Sequence, residues 1–502
     1  MNVANLLTAA AHERPDHPAF VFEGRTVTYR ELERLTGQFA NLLGQRGVRP
    51  GDVIAIFLES SPELIVAYMG ALRAGVVPNV VNASLKPEEV RLVVSDSNAF
   101  LLVTDPTRWQ ALQAVRDGLG TCQTLLSGDD DVTEDKDEGL ESFNTALEGS
   151  PSDFKTLELA PETLASLLYT SGTTGFAKGV MLSHRNIIDN ATNFARVHFT
   201  ADDRLLIAAP LFHCWGLING LLGSFVARAT AIVPRRYRTE PTLDLIETTR
   251  PTIMLGVPTM VNYMSKSPSI PQRSLDSLRV VLCAAAPMPL ELIETMRRLW
   301  KVGYAESYGL TETSPVITTT PSTEMRPGSC GRAMGDTILK VVDAEGNALP
   351  PGAVGELWAQ GTAITAGYFG KPEMTAEVFT SDGWFKTGDI VKIDDDGYVF
   401  IVDRVKDMIN VGGEKVYPRD VEEVLHRHPA VADAVVVGIP DLNLSEVVKA
   451  YIALKPDHAW TPEGVLDYLR PELASFKLPR SVEFVAEVPR SVSGKALRRL
   501  LR

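Results

Sequence analysis

Apolar residues change period along this chain in a repeating way. From Asp52, VIAIFLE is a continuous apolar run of strand length, ELIVAYMGALRA spaces its apolar residues as a helix does, and VVPNVV is a second apolar run. That order predicts a β-α-β unit. The pattern returns in AFLLVTD, in TIMLGVP, and in RVVLCAAAP followed by the helical LELIETMRRLW. Strands buried on both faces read as unbroken apolar runs, so parallel sheets covered by helices are the economical architecture for the first four hundred residues or so. Residues 382–401, DGWFKTGDIVKIDDDGYVFI, set Gly and Asp at turn positions between aromatic and β-branched runs, as short antiparallel hairpins do. After Arg404 the texture shifts: helical YPRDVEEVLHRH, the strands AVVVGI and VVKAYIAL, helical PEGVLDYLR and the strand SVEFVAEV. The expectation is an α/β chain with a large N-terminal body of packed subdomains over residues 1–403 and a small α+β domain over 404–502. The charged turn DRVKD between them is a place where a few backbone angles could rotate one part against the other.

Composition narrows the class. At 502 residues, 45% hydrophobic and 22% charged, the chain can bury a large core and is neither disordered nor fibrous. Lys and Arg number 49 against 63 Asp and Glu, a net charge of −14, the wrong sign for wrapping a nucleic-acid backbone. Any phosphate ligand must then be held by a local site. The four cysteines, Cys122, Cys214, Cys283 and Cys330, form no CxxC pair, which argues against a disulfide framework or structural zinc. No secretory leader is apparent in MNVANLLTAAAHERPDHP, so a reducing, cytoplasmic setting is expected. The longest apolar stretch, Leu217 to Val226, is broken by Asn219, Gly220, Gly223 and Ser224 and is too short to span a bilayer. Peripheral membrane contact and oligomeric state are left open by these features. The acidic run Asp129–Glu138 fits a solvated loop better than a calcium site.

The most informative stretch is LLYTSGTTGFAKGVMLSH, residues 167–184. An apolar strand runs into small and flexible residues bracketed by glycines, then Lys178, then apolar residues again. Such a loop gathers backbone N–H groups, hydroxyls and an ammonium, which is what a polyphosphate requires. It is not a Walker A loop, because Lys178 is followed by Gly179 instead of Ser or Thr.

YTSGTTGxxKG resembles the signature of the adenylate-forming superfamily, which includes acyl-CoA synthetases, firefly-type luciferases and peptide-synthetase adenylation domains. The chain is similar to that family also at PLFHCWG (210–216), AAAPMP (284–289), YGLTE (308–312), WFKTGD (384–389), DRVKDMINVGGEKVYP (403–418) and PRSVSGK (489–495), in the family's order. The resemblance implies a series of roles. Thr170, Ser171, Gly172, Thr173, Thr174, Gly175 and Lys178 would cradle the β and γ phosphates of ATP. Glu312 and Thr170 would hold Mg²⁺, and Thr311 would contact the α-phosphate. Tyr308 and Gly309, with Ala285, Ala286 and Pro287, would surround the adenine; relatives often have glycine where Ala284 and Ala285 stand, which implies a slightly tighter wall. Asp389 would hold the ribose hydroxyls with Arg404 as its partner. Lys495 would bridge carboxylate and α-phosphate during adenylation, and the small domain would then turn about Lys406 to bring Gly412 and Gly413 beside a tunnel for CoA.

His213 would stand by the acyl carboxylate, with an ordinary partly buried histidine as the competing reading. Trp215 and the apolar run after it would line the acyl pocket or simply belong to the core. Cys214 and Cys283 read as small buried hydrophobes. Amino-acid activators of this superfamily carry Asp where His213 stands, which favours an unsubstituted carboxylate. The implied activity is an ATP-dependent, AMP-forming carboxylate–CoA ligase acting on a medium- or long-chain fatty acid. An aryl acid of the benzoate or cinnamate kind is the alternative substrate, and a carrier protein the alternative acyl acceptor.

Overall fold

The computed structural model describes residues 1–119, 123–128, 140–171, 177–404, 407–412, 414–441, 444–490 and 496–501, without the side chains of Ser171, Ala177, Lys415 and Arg499. The acidic run Asp129–Glu138 therefore lies outside the described residues, as do Cys122, Gly172–Gly175, Lys406, Gly413 and Lys495.

Two compact units are present. The first comprises Met1–Ala284, Met288–Ile338 and Gln360–Phe385; the second comprises Ala285–Pro287, Leu339–Ala359 and Lys386–Arg502. The first is built on two seven-stranded sheets. One has the strand order Leu140–Ser142, Gln123–Leu126, Leu101–Thr104, Val53–Phe57, Val77–Val80, Leu164–Ser171, Ala177–Ser183. The other runs Gly303–Glu306, Val280–Cys283, Ile253–Gly256, Arg204–Ile207, Thr230–Ile232, Pro18–Phe22, Arg25–Thr28. Neighbours in both sheets are parallel except the last pair of each, which closes the edge as an antiparallel hairpin.

The continuous apolar runs earn their strands by burial: every residue of Val53–Phe57, Leu101–Thr104 and Ile253–Gly256 is buried. The expected β-α-β unit forms as Val53–Phe57, helix Pro62–Arg73 and Val77–Val80. Ser61 starts that helix by accepting the Leu64 N–H at 3.2 Å, with Pro62 in the first turn where its missing N–H costs nothing. The helical LELIETMRRLW begins at Leu290 and continues from Met296 to Trp300 as π-helix.

From Tyr308 onward most strand pairs are antiparallel, the exception being Ser445–Leu454 with Ser481–Phe484, which is parallel. Tyr308–Gly309, Val316–Thr319 and Arg332–Ala333 form a small antiparallel sheet, and Phe385–Ile393 pairs antiparallel with Val399–Arg404 as the turn signals in 382–401 indicate. In the second unit, helix Pro418–His426 lies against the hairpin Val431–Asp441 and Ser445–Leu454. Val421, Leu425, Val436, Val448, Ile452, Val465 and Leu469 make its core. Among the described residues, no helix is long and apolar enough to cross a membrane.

Candidate functional site

In an open α/β sheet, loops leaving the carboxyl ends of the strands converge on one edge. Here those loops carry part of the sequence-predicted set. Ile207 leads into Pro210–Gly216, Cys283 into Ala284–Pro287, and Glu306 into Ser307, Tyr308 and Gly309. Thr311 lies next to the first of these loops, its Oγ1 3.8 Å from the Cys214 Sγ.

Leu164–Ser171 and Ala177–Ser183, the strands that flank the phosphate-loop motif, pair antiparallel at the sheet edge as the phosphate hairpin, with Thr170 opposite Lys178 and Tyr169 opposite Gly179. Gly179 has a steric reason: a Cβ there would stand 2.9 Å from the Tyr169 ring. Ser183 ends the strand and opens helix His184–His198 at once through a reciprocal cap, Asn186 N–H to Ser183 Oγ at 3.1 Å and Ser183 N–H to Asn186 Oδ1 at 2.8 Å.

Lys178 reaches over the ring of Tyr368, its Nζ 5.0 Å from the ring centre. The same tyrosine donates its hydroxyl to Glu312 Oε1 at 2.9 Å. Tyr368 is thus a residue that sequence reasoning missed: it joins the lysine of the phosphate hairpin to the carboxylate of YGLTE. Burial, then the charge of Glu312 and the hydrogen bond to it, push its phenol pKa far up, so the hydroxyl keeps its proton and remains a donor. An aromatic pair, Tyr368 and Phe369, between Gly367 and Gly370 carries no periodicity from which this could be read.

Glu312 sits in the single 3₁₀ turn Thr311–Thr313. The turn is held from beneath by the buried Asn190, whose amide donates to the carbonyls of Thr313 (3.1 Å) and Val316 (2.7 Å), while Asn219 donates to Asn190 Oδ1 at 3.0 Å. Gly309 is required by closeness, since a Cβ would fall 1.7 Å from the Pro315 carbonyl oxygen. Ala285 has φ of +76°, the left-handed region that favours glycine. An alanine in this conformation strains the backbone.

His213 is half-buried, its ring centre 4.8 Å from that of Phe212. Trp215 packs as core: it is 5% exposed, stands edge-on to Phe194, and donates its indole N–H to the Gly256 carbonyl at 3.0 Å. It begins a π-helix, Trp215–Leu222, that is buried throughout.

Within the second unit, Asp389 and Arg404 are cross-strand partners, with Arg404 Nε 2.7 Å from Asp389 Oδ1. Asp389 is 3% exposed. Gly412, which follows the strand Ile409–Val411, has φ of +61°, the left-handed region that favours glycine. The span holding Lys495 is fastened at its described ends. Arg490 grips Asp433 with two bonds of 2.7 Å, Arg490 and Ala496 form a β-bridge, and Arg498 binds both oxygens of Glu422 at 2.8 and 2.9 Å.

The chain is similar to known proteins along nearly its whole length. The AMP-binding enzyme family model matches residues 7–369, and the AMP-binding enzyme C-terminal domain matches residues 420–495. A fatty acid–acyl-carrier-protein ligase of Streptomyces coeruleorubidus is 36% identical, over 98% of this chain and 94% of its own. A feruloyl-CoA synthase of an Amycolatopsis species is 34% identical, over 97% and 96%. Among solved structures, ATP-bound MatB from Rhodopseudomonas palustris is 32% identical with a TM-score of 0.92, covering 100% of this chain and 98% of that one. The chain belongs to the AMP-binding enzyme family of the adenylate-forming superfamily and is an acid–thiol ligase, with the acyl- or aryl-acid ligase chemistry of that family.

Proposed function

We propose that the protein is an ATP-dependent, AMP-forming carboxylate–CoA ligase whose acid is a medium- or long-chain fatty acid. The observation that carries the ligase part of this reading is the meeting of Lys178 and Glu312 at Tyr368, which sets a cation and a carboxylate at one end of the phosphate hairpin, and the fatty acid is supported by the fatty acid–carrier-protein ligase among the relatives. In the first half-reaction a carboxylate oxygen attacks the α-phosphorus and pyrophosphate leaves. In the second the CoA sulfur, losing its proton, attacks the acyl carbon and AMP leaves.

Two anions must approach in the first step, so cations have to converge on them. Thr170–Gly175 and Lys178 take the β and γ phosphates, and Thr311 the α-phosphate. Tyr308, Gly309 and Ala285–Pro287 border the adenine, and Asp389 with Arg404 holds the ribose. His213 stands at the acyl carboxylate. Lys495 supplies the second cation from a C-terminal lid over residues 404–502 that turns about Lys406, after which Gly412 and Gly413 border the CoA path.

Among the described residues no three His, Cys, Asp or Glu side chains cluster as a protein-only metal cage. A single carboxylate such as Glu312, together with the Thr170 hydroxyl, instead fits a hard Mg²⁺ that is shared with phosphate oxygens. Such a metal would supply charge neutralisation at the phosphates.

Purified protein given ATP, Mg²⁺ and oleate or octanoate is expected to release pyrophosphate, and AMP once CoA is added. Two other readings have a relative each in their favour. Turnover of ferulate or benzoate with oleate inert would transfer the assignment to an aryl acid, the chemistry named for the feruloyl-CoA synthase. Pyrophosphate release without any CoA thioester would transfer it to a carrier-protein acceptor, as named for the Streptomyces relative. A reaction with none of these acids would defeat the proposal.

A further inference from the structure

We infer that Tyr368 is a positioning residue of the nucleotide site, acting on both sides of the triphosphate by fixing the Glu312 carboxylate through its hydroxyl and the Lys178 ammonium through its ring. The inference rests on the ligase reading above and adds a residue to it.

Three observations carry it. Tyr368 touches both groups at once, hydroxyl to Glu312 Oε1 at 2.9 Å and ring centre to Lys178 Nζ at 5.0 Å. It is 6% exposed, so it has little freedom to release either of them. The backbone around it is tied to the same two elements. Phe369 N–H donates to Gly179 O at 2.8 Å, Met181 N–H to Gly367 O at 3.0 Å, and Thr365 N–H to Glu312 O at 2.8 Å. The segment Thr365–Phe369 is consequently a strap across the phosphate hairpin and the YGLTE turn, and Tyr368 is its one side chain that reaches both candidate ligands.

The chemistry of the contact follows from its geometry. A carboxylate on a flexible side chain presents either oxygen to a metal in many rotamers; a hydroxyl held on Oε1 removes most of them and directs Oε2 outward. The electron-rich ring face likewise holds the Lys178 ammonium in place without neutralising it, as a carboxylate partner would. Positive charge is thereby kept available for phosphate.

Calorimetric titration of ATP across a series of MgCl₂ concentrations tests this on wild type, Tyr368→Phe, Glu312→Gln and the double variant. Tyr368→Phe keeps the ring and removes only the hydroxyl. It is expected to raise the Mg²⁺ concentration for half-maximal ATP affinity about tenfold, while affinity in EDTA stays within about twofold of wild type. The double variant is expected to match Glu312→Gln alone, since the hydroxyl has nothing left to position. Tyr368→Leu, which also removes the ring, is expected to lower ATP affinity in EDTA as well. An unchanged or reduced Mg²⁺ requirement in Tyr368→Phe, or additive effects in the double variant, would overturn the inference. Should Tyr368→Phe fail to fold, Tyr368→Leu carries the same Mg²⁺ expectation, and combined with Glu312→Gln it is expected to add nothing to the Mg²⁺ requirement of Glu312→Gln alone. Wild-type protein that binds no ATP at any Mg²⁺ concentration would overturn the ligase reading and this inference together; wild-type binding that Tyr368→Phe leaves unaltered overturns the inference alone.

Discussion

At Ala285 a methyl group occupies a backbone conformation that only glycine adopts without cost, at φ of +76°. The left-handed region costs a non-glycine residue about 1–2 kcal/mol, so Ala285→Gly is expected to stabilise the fold by about 1 kcal/mol, read as a rise in the urea midpoint. Gly309 presents the opposite case. Gly309→Ala would drive a Cβ to 1.7 Å from the Pro315 oxygen and displace the turn that bears Glu312. It is expected to abolish pyrophosphate release, and wild-type turnover in that variant would contradict the packing described. The local reason for Gly309 is invisible in the motif, because Pro315 comes back on it only through the turn at Thr311–Thr313.

The elements divide by how their signal arises. Val53–Phe57, Leu101–Thr104 and Ile253–Gly256 were legible because both faces are buried and the run is unbroken, and the hairpin at Phe385–Arg404 because its turns are written in Gly and Asp. What was not legible depends on tertiary placement. Nothing in Trp215–Leu222 distinguishes a π-helix from any apolar helix, and nothing near Tyr368 announces a partner 56 residues away. For the same reason nothing in the sequence announces that Arg490 grips Asp433 and Arg498 grips Glu422, on either side of the span that holds Lys495. Arg490→Gln is expected to slow adenylation by at least about tenfold through misplacement of that lysine, and to spare thioester formation from supplied acyl-adenylate. Equal loss of both half-reactions would argue against a placement role.

For the whole molecule, the proposed lid makes the two half-reactions separable. Lys495→Ala is expected to cut adenylation by about 10²- to 10³-fold while thioester formation from supplied acyl-adenylate continues. Parallel loss of both, measured as pyrophosphate and thioester, would refute a lysine that serves one step only.

The first unit should also be acid-sensitive. Burial lowers the pKa of His184 to about 4 and of His198 to about 3, where one accepts the Val3 N–H and the other bonds Thr319. Their folded pKa values lie below the unfolded value near 6.5, so the unfolded chain binds more protons and stability falls as pH drops below about 6.5. Between pH 7 and pH 5 each histidine should cost on the order of 2 kcal/mol, seen as a falling melting temperature that His198→Gln flattens.

The strap from Thr365 to Phe369 also bears on how the chain is made. It covers the outer edge of a strand that ends at Ser183, some 180 residues earlier, and Asn186 reaches the carbonyls of Thr362 and Ile364 to hold it there. On the ribosome the phosphate hairpin emerges long before its cover, leaving an unpaired strand edge of the kind that recruits other chains. The meeting of Lys178, Tyr368 and Glu312 must then wait until nearly three quarters of the protein has been synthesised, which couples assembly of this part of the nucleotide site to the closing of an aggregation-prone edge.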